Sequence, residues 1–570
     1  MSKGSAVARF PASESNTPWW QRTWFLALLL FAAVLLNNSE LILNTRLYEA
    51  DDFAANSLQV LKAKHFNETL GNYCRFGFHH PGPAFFYLFG WGEIVFHDVL
   101  PFVPTPFNGQ LIALYALSAF FFGATIALIA AKLSRAAAGW FVGVSLLFAA
   151  WHFGAASKFF EFIPGYLGFL TPWPPCFIVL PFLCFVVAAG SVAAGYGKDL
   201  PLMTLAGCFL VHGHVAMPLF VVPLALFAYG ALWREIGCAG GQPWNLFRRQ
   251  HWLAAATIAL FLAPIVTDLL ISEPNNLTRI VQHLRTSYGE GKGILQSLCY
   301  FLHFGAYAGA ASDQPIPAFE AHDAATLRSF FLLHWRPYAW WLGSILVFIV
   351  TTRRTQPDLP GTTKFRRRLC FALILATGLS VVWGCVQEGP MFDYNALYIF
   401  AIYYAWLLVV ALSLALWIGS RCPARFQVAG VIALMLAAAT AFAHERRRFR
   451  GAASNDAQRQ FAASVEQALI LDPSQPKFLN FDSEANGEAE RVALFLERRR
   501  IAWWVREDWP LVFGEERIVR PGKTNQSVLT LSSSFWRIAL RSNPAKTGGD
   551  PNATVLPLTS EFDLVVHRGK

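Results

Sequence analysis

The chain has 570 residues, of which 55% are hydrophobic and 14% charged, against about 25% charged in an ordinary soluble domain. The shortfall is uneven: 35 of the 82 Asp, Glu, Lys and Arg residues follow Phe442, so a very apolar stretch precedes a tail of ordinary soluble composition. The net charge of +10 does not indicate nucleic acid, because the basic residues lie in short loops between apolar runs and in the tail, with no Lys/Arg stripe interleaved with aromatics. The nine cysteines include no CxxC pair and none lies in the tail, which excludes a disulfide framework and a zinc-type site there.

At the N-terminus, Lys3, Arg9 and Arg22 precede the apolar run Trp24–Leu36, but Asn37-Asn38-Ser39-Glu40 follows in place of a small-residue cleavage site. This reads as an uncleaved first span. Further apolar runs follow, and the chain is expected to be a polytopic α-helical membrane protein with about eleven transmembrane helices. They fall at 22–43, 107–131, 136–153, 174–195, 200–216, 217–233, 253–271, 334–352, 367–386, 395–419 and 426–443. With the N-terminus inside, every cytoplasmic connection is basic: Lys132 and Arg135; Lys198; Arg234, Arg248 and Arg249; the run Arg353–Arg368; then Arg421 and Arg425. The apolar segment Ile294–Ala311 would invert this pattern if it crossed, so it is read as a re-entrant or surface-lying helix. Arg446, Arg447, Arg448 and Arg450 oppose the pattern, although translocated domains tolerate such charge.

Residues 1–443 thus form a multi-span domain with outer loops 44–106 and 272–333. Residues 444–570 form a soluble outer domain, expected to be small and α/β: Lys477–Phe481 reads as a strand and Glu484–Arg500 as a helix, with Ala489, Val492, Ala493 and Leu496 at helical spacing. Ile501–Val505 reads as a second strand. The membrane is the inner or plasma membrane, and the tail is periplasmic or extracellular.

The first outer loop carries the sharpest chemistry. Tyr48-Glu49-Ala50-Asp51-Asp52-Phe53 opens an amphipathic helix whose Ala54, Leu58 and Leu61 share a face. Cys74-Arg75-Phe76-Gly77-Phe78-His79-His80 follows, then Pro81-Gly82-Pro83 and an aromatic run. From spacing alone, capping accounts for Asp51 and Asp52 better than catalysis does, since a carboxylate at a helix N-terminus accepts orphan N–H bonds. Pro81-Gly82-Pro83 alone reads as a helix-starting turn.

The order of these features resembles the GT-C class of membrane glycosyltransferases. Asp51-Asp52-Phe53 resembles the Asp-Glu-aromatic motif of its protein mannosyltransferases and aminoarabinose transferases, with Asp in the second place. His80-Pro81-Gly82-Pro83 is similar to their Pro-rich segment. The resemblance implies transfer of a sugar from a polyprenyl-phosphate carrier to a glycan, lipid or protein acceptor on the outer face of the membrane, by a protein embedded in the lipid bilayer. It implies no nucleotide sugar, and no Gly-rich phosphate loop or Rossmann fingerprint is present.

By that resemblance Asp51 takes the acceptor proton or holds an activating metal, assisted by Asp52 or Glu49. Glu161 stands where the class often has a second acid, and Asp51 with Glu161 would suit a divalent Mg or Mn ion. Lys158 beside Glu161 equally supports a surface ion pair. For the donor phosphate, Arg75, Arg285 and Lys292 are the candidates, the last two flanking a Gly-rich stretch. His79, His80, Glu388 and Asp393 are candidates for the acceptor or donor pocket; for Glu388 and Asp393 a solvated turn is the plainer account. The tail is expected to assist acceptor choice or lid positioning, because every motif residue precedes it. A transporter or flippase of lipid-linked sugars is the alternative. It would show internal repeats and helices broken near the midplane, and no repeat is evident here.

Overall fold

The computed structural model describes residues 19–49, 51–74, 76–156, 171–238, 240–286, 291–306, 360–387, 393–419, 423–449, 455–471, 477–481, 486–505, 510–518, 535–540, 553–557 and 562–567, with single residues between 325 and 346. These fall into two compact units. The first contains Met1–Asn37, Leu114–Thr267 and Val281–Arg450, and the second Asn38–Ala113, Asp268–Ile280 and Gly451–Lys570.

The first unit is helical because its long apolar runs can satisfy their backbone N–H and C=O groups internally only as helices. It includes α1 (Trp19–Asn37), most of α4 (Pro106–Lys132), which follows α2 (Asp52–Lys64) and α3 (Ala84–Glu93) of the other unit, and α5 (Arg135–Ala156). Further helices run over Val179–Ala193, Leu200–Gly213, Met217–Cys238, Arg248–Ile271, Ile294–Ala306, Pro360–Cys385, Ile399–Gly419 and Ala424–Phe449. Among the described residues five helices are long and apolar enough to cross a membrane, and the chain is an integral membrane protein. The segment drawn at 334–352 lies almost wholly outside the described residues. Apolar side chains point outward on Arg248–Ile271, where Leu260, Leu270 and Ile271 are exposed, as a hydrocarbon surround favours. The 13-residue helix Ile294–Ala306 packs on Pro360–Cys385; there Gly384 leaves room for Ser297, whose Cβ would stand 2.8 Å from an added methyl.

Polar contacts gather the basic connections of this unit at one end. Lys132 Nζ lies 3.4 Å from Asp199 Oδ2, and the Thr362 hydroxyl donates to the Lys132 carbonyl at 3.4 Å. Lys364 and Arg368 both donate to Glu235, at 2.6 and 2.9 Å.

The second unit joins the first outer loop, the segment Asp268–Ile280 and the tail. Its five-stranded sheet has β3 (Lys477–Phe481) between β4 (Trp503–Val505) and β5 (Phe535–Leu540), both parallel to it. β7 (Phe562–His567) and β6 (Ala553–Pro557) continue the order antiparallel. Between β3 and β4 the chain forms the tail helix Asn486–Arg498, the crossover that parallel strands require. The core unites Phe461, Val465, Leu479, Val492, Leu496, Trp503 and Val505 with Ala54, Ala55 and Leu58 of α2. Residues 54 and 55 are small, so α2 approaches the tail helix closely. The loop therefore closes the tail's hydrophobic core, and contacts group the tail with this loop across the sequence boundary drawn at 443/444.

Candidate functional site

The loop is held by a polar stripe on α2. Asp52, Asn56 and Gln59 recur at i, i+4 and i+7 and so share a helix face. They meet three consecutive residues. The Tyr73 hydroxyl donates to Asp52, Asn72 Nδ2 donates to Asn56 Oδ1 at 2.5 Å, and Gln59 Nε2 donates to the Gly71 carbonyl at 2.9 Å. Tyr73 begins a short antiparallel pair, β1 (Tyr73–Cys74) with β2 (Phe78–His79), in which it faces His79. Glycine is required at 71, because a Cβ there would lie 2.6 Å from the His80 carbonyl oxygen.

His79 and His80, read as pocket residues, are buried in this scaffold. The His79 N–H donates to Asn276 Oδ1 at 2.7 Å, and Asn276 Nδ2 returns a bond to the His79 carbonyl at 2.9 Å. Asn276 is itself fixed by its N–H donating to Asp268 Oδ2 at 2.8 Å. Burial pushes the His79 imidazole down to about 4, and its Nδ1 lies 3.0 Å from the Gly71 carbonyl. The His79 backbone thus ties the first outer loop to Asp268–Ile280, while its neutral ring stays within the loop against Gly71.

Asp51 sits differently. Its φ of 48° and ψ of −134° are costly for a residue with a Cβ, and its side chain makes no capping hydrogen bond. The Asp51 backbone carbonyl accepts the first bonds of the helix, from the N–H groups of Ala54 at 2.8 Å and Ala55 at 3.2 Å. The capping account of its carboxylate is therefore not what the geometry shows. The carboxylate meets the first turn of the tail helix, where a Cβ on Gly487 would overlap Asp51 Oδ1 and lie 2.8 Å from its Cγ. Partial burial, reinforced by the like charge of Asp52 and opposed by Arg491, holds the Asp51 carboxyl above its ordinary value.

Other tail side chains complete this environment. Glu490 is 1% exposed; burial first, then Asp52 and Asp51, raises its carboxyl well above the ordinary range. Its Oε1 accepts from Asn486 Nδ2 at 2.9 Å, while Oε2 has no hydrogen-bond partner. The Arg491 guanidinium stacks 3.7 Å from the Phe461 ring centroid and feels both Asp51 and Glu49. Arg498 Nη2 donates to Glu49 and, at 3.0 Å, to the fully buried Glu93. Glu93 also accepts from Lys64 at 3.0 Å and from Gln110 at 2.9 Å. Burial alone would lower the Arg498 pKa; Glu49 and Glu93 outweigh that and hold it above its ordinary value.

Asp51, Asp52 and Glu49 thus come together, and Gly487, Glu490, Arg491 and Arg498 join them. The tail residues were missed in the sequence, although a signal was present. Gly487, Arg491, Leu494 and Arg498 recur at i, i+4, i+7 and i+11, a second stripe on a helix whose apolar face is Ala489, Val492, Ala493 and Leu496. Arg285 and Lys292 belong to the first unit; Arg285 is exposed and Lys292 half-buried. Asp393 begins a short 3-10 turn of that unit. Arg75, Glu161 and Glu388 lie outside the described residues. Among the described residues no three His, Cys, Asp or Glu side chains are grouped as a metal site.

No family model matches the chain, and no curated protein does. Among solved structures, the crystal structure of ArnT from Cupriavidus metallidurans bound to undecaprenyl phosphate matches with a TM-score of 0.52 at 12% identity, covering 95% of this chain and 97% of that one. The apo crystal structure of the same ArnT gives a TM-score of 0.43 at 14% identity over the same shares. The first likeness establishes the fold: this chain is folded like that ArnT.

Proposed function

We propose that this protein is a glycosyltransferase that moves a sugar from a polyprenyl-phosphate carrier to an acceptor hydroxyl on the face of the membrane where the second unit lies. The reading includes eleven spans, a cytoplasmic N-terminus and an outer tail. Two observations support the topology. The basic connections share one end of the first unit, and the second unit is drawn from the three segments that the charge pattern puts outside. The ArnT of like fold was crystallised with undecaprenyl phosphate, which makes that lipid the first carrier to test.

The observation that carries the reading is Asp51, a carboxylate turned away from its own helix start and made more basic by its surroundings. In the reaction the acceptor oxygen bonds to the anomeric carbon, the bond from that carbon to the phosphate oxygen breaks, and the polyprenyl phosphate leaves with the electron pair. Asp51 accepts the hydroxyl proton as the new bond forms. Cations must stabilise the leaving phosphate. A divalent ion on Asp51 would need further donors. Glu161, the partner read for it, is outside the described residues.

The test is transfer from a panel of radiolabelled undecaprenyl-phosphate sugars by the full chain in nanodiscs, with binding of undecaprenyl phosphate measured separately. Asp51→Asn keeps size and should keep carrier binding while losing transfer by about 10²–10⁴-fold, the contribution of a positioned base. Transfer that persists in chelator supports the base role; loss restored by Mg or Mn assigns Asp51 to a cation instead. Near-normal transfer by Asp51→Asn overturns the site.

A further inference from the structure

We propose that the soluble tail is a working part of the Asp51 site: the stripe Gly487, Arg491 and Arg498 on the tail helix seats the Asp51 carboxylate and fixes its direction. This rests on the reading of Asp51 as the base and goes beyond it, because it makes residues more than 430 positions downstream positioning residues for that group.

Three observations carry it. Gly487 is where the carboxylate lies, and no other residue type leaves space there, since any Cβ would overlap Asp51 Oδ1. One turn further, Arg491 is held by the Phe461 ring and by Glu488, whose Oε2 lies 3.6 Å from its Nη1. Its cation is within electrostatic reach of Asp51. At the far end of the stripe, one nitrogen of Arg498 ties Glu49, two residues before Asp51, to Glu93 of α3. The three residues share one face of one helix. A rotation or withdrawal of that helix would release the carboxylate, the cation beside it and the backbone just before it together. The strained φ at Asp51 fits the same account, since packing around it must hold a conformation its own residue type disfavours. The tail is thereby more than the acceptor-choosing or lid-positioning appendage that the sequence suggested.

The test uses the full chain in nanodiscs with Gly487→Ala, and Val492→Ala as a control. Val492 lies on the opposite, apolar face, so its truncation loosens the tail without touching Asp51. Two quantities are read. One is transfer, separated into kcat and KM for the lipid carrier. The other is independent of activity: the rate at which a water-soluble carbodiimide and an amine label Asp51, followed by peptide mass spectrometry. Gly487→Ala should lower kcat by at least about tenfold, in keeping with the cost of a misplaced catalytic group. KM should stay within about twofold, as expected when an interaction of the transition state alone is lost. Labelling of Asp51 should change in Gly487→Ala and not in Val492→Ala. Equal kcat losses in both variants, or wild-type labelling and kcat in Gly487→Ala, overturn the proposal. If Gly487→Ala does not accumulate, Arg491→Met is read the same way, because it spares the glycine and removes the cation. If the wild type transfers no sugar from any carrier, the proposed function fails, and labelling still decides whether the tail seats Asp51.

Discussion

Arg498 offers the most direct measure of how firmly the tail helix holds the loop. Replacing it with Met keeps most of the stem and removes the cation that serves Glu49 and Glu93. Breaking a buried ion pair by removing one partner costs about 3–5 kcal/mol, because the other charge stays buried. Two features reduce that here. The Arg498 side chain is 20% exposed, and Glu93 keeps Lys64 and Gln110 after the change. The expected loss is therefore about 2–3 kcal/mol, a shift of roughly 30–150-fold in the equilibrium for separating the tail helix from the loop. Hydrogen exchange of the peptides covering α2 and Asn486–Arg498 should accelerate by that factor, with peptides of Arg248–Ile271 unchanged. Both contacts use the same terminal nitrogen, Nη2, and not the two-pronged fork of a guanidinium. A lysine ammonium can in principle occupy that point, so Arg498→Lys should recover most of the protection. Exchange in Arg498→Met that matches the wild type would refute the clamp. Arg498→Lys behaving as badly as Met would show that the planar guanidinium, and not the bridging charge, is what matters.

The other expectations concern pH and topology. Glu68 is buried, and burial pushes its carboxyl up to about 7 from an ordinary 4.5. A raised carboxyl pKa means that the folded loop favours the protonated form. Its stabilising contribution is complete below the unfolded pKa and is lost as pH rises through about 7. Unfolding free energies from denaturant titration should fall across that window by up to ~3 kcal/mol, and Glu68→Gln should flatten the dependence; a profile unchanged by the substitution counts against it. Reporter fusions at residue 360 and at the C-terminus should report opposite sides of the membrane, since the basic run Arg353–Arg368 and the tail lie on different sides in the charge pattern. Reports from the same side would mean that the assigned topology is wrong.

Local pattern made some of this legible. Apolar runs marked the helices of the first unit, and the period of Ala54, Leu58 and Leu61 marked α2, which spans Asp52–Lys64. In the tail, a strand was read at Lys477–Phe481, where β3 lies, and the helix read at Glu484–Arg500 is found over Asn486–Arg498. The strand order of the sheet was not legible, since it depends on pairings between segments far apart, such as Phe478 with Phe535. Nor was the bond from Arg498 to Glu49, whose partners are 449 residues apart. His79 was misleading for a different reason. A histidine beside a Pro-Gly-Pro turn looks available, and only its burial in the folded loop, with its backbone bound to Asn276, shows that the ring is held neutral there. The stripe at 487, 491, 494 and 498 was visible in principle but competed with a stronger apolar face on the same helix. Single-sequence periodicity does not tell that both faces of a helix will be covered.

The same limit explains why spacing alone favoured capping over catalysis at Asp51. Both accounts ask for a carboxylate at the head of an outer helix, and both are satisfied by Asp51-Asp52. They differ in where the oxygen atoms go. A capping carboxylate turns back onto the N–H groups of its own first turn and would be charged and stabilised there. At Asp51 the side chain makes no such bond, and the carboxylate lies instead against a neighbouring helix that carries Arg491. Burial and Asp52 raise its proton affinity while Arg491 limits the rise, so the group is poised between a fully solvated acid and a permanently protonated one. Glu490, more deeply buried and facing the same two aspartates, is driven further in the same direction. Two acids separated in this way by environment are what the proposed transfer would need: Asp51, which keeps an exposed edge, is the proposed base, and Glu490, buried in the tail, is held further toward the protonated form.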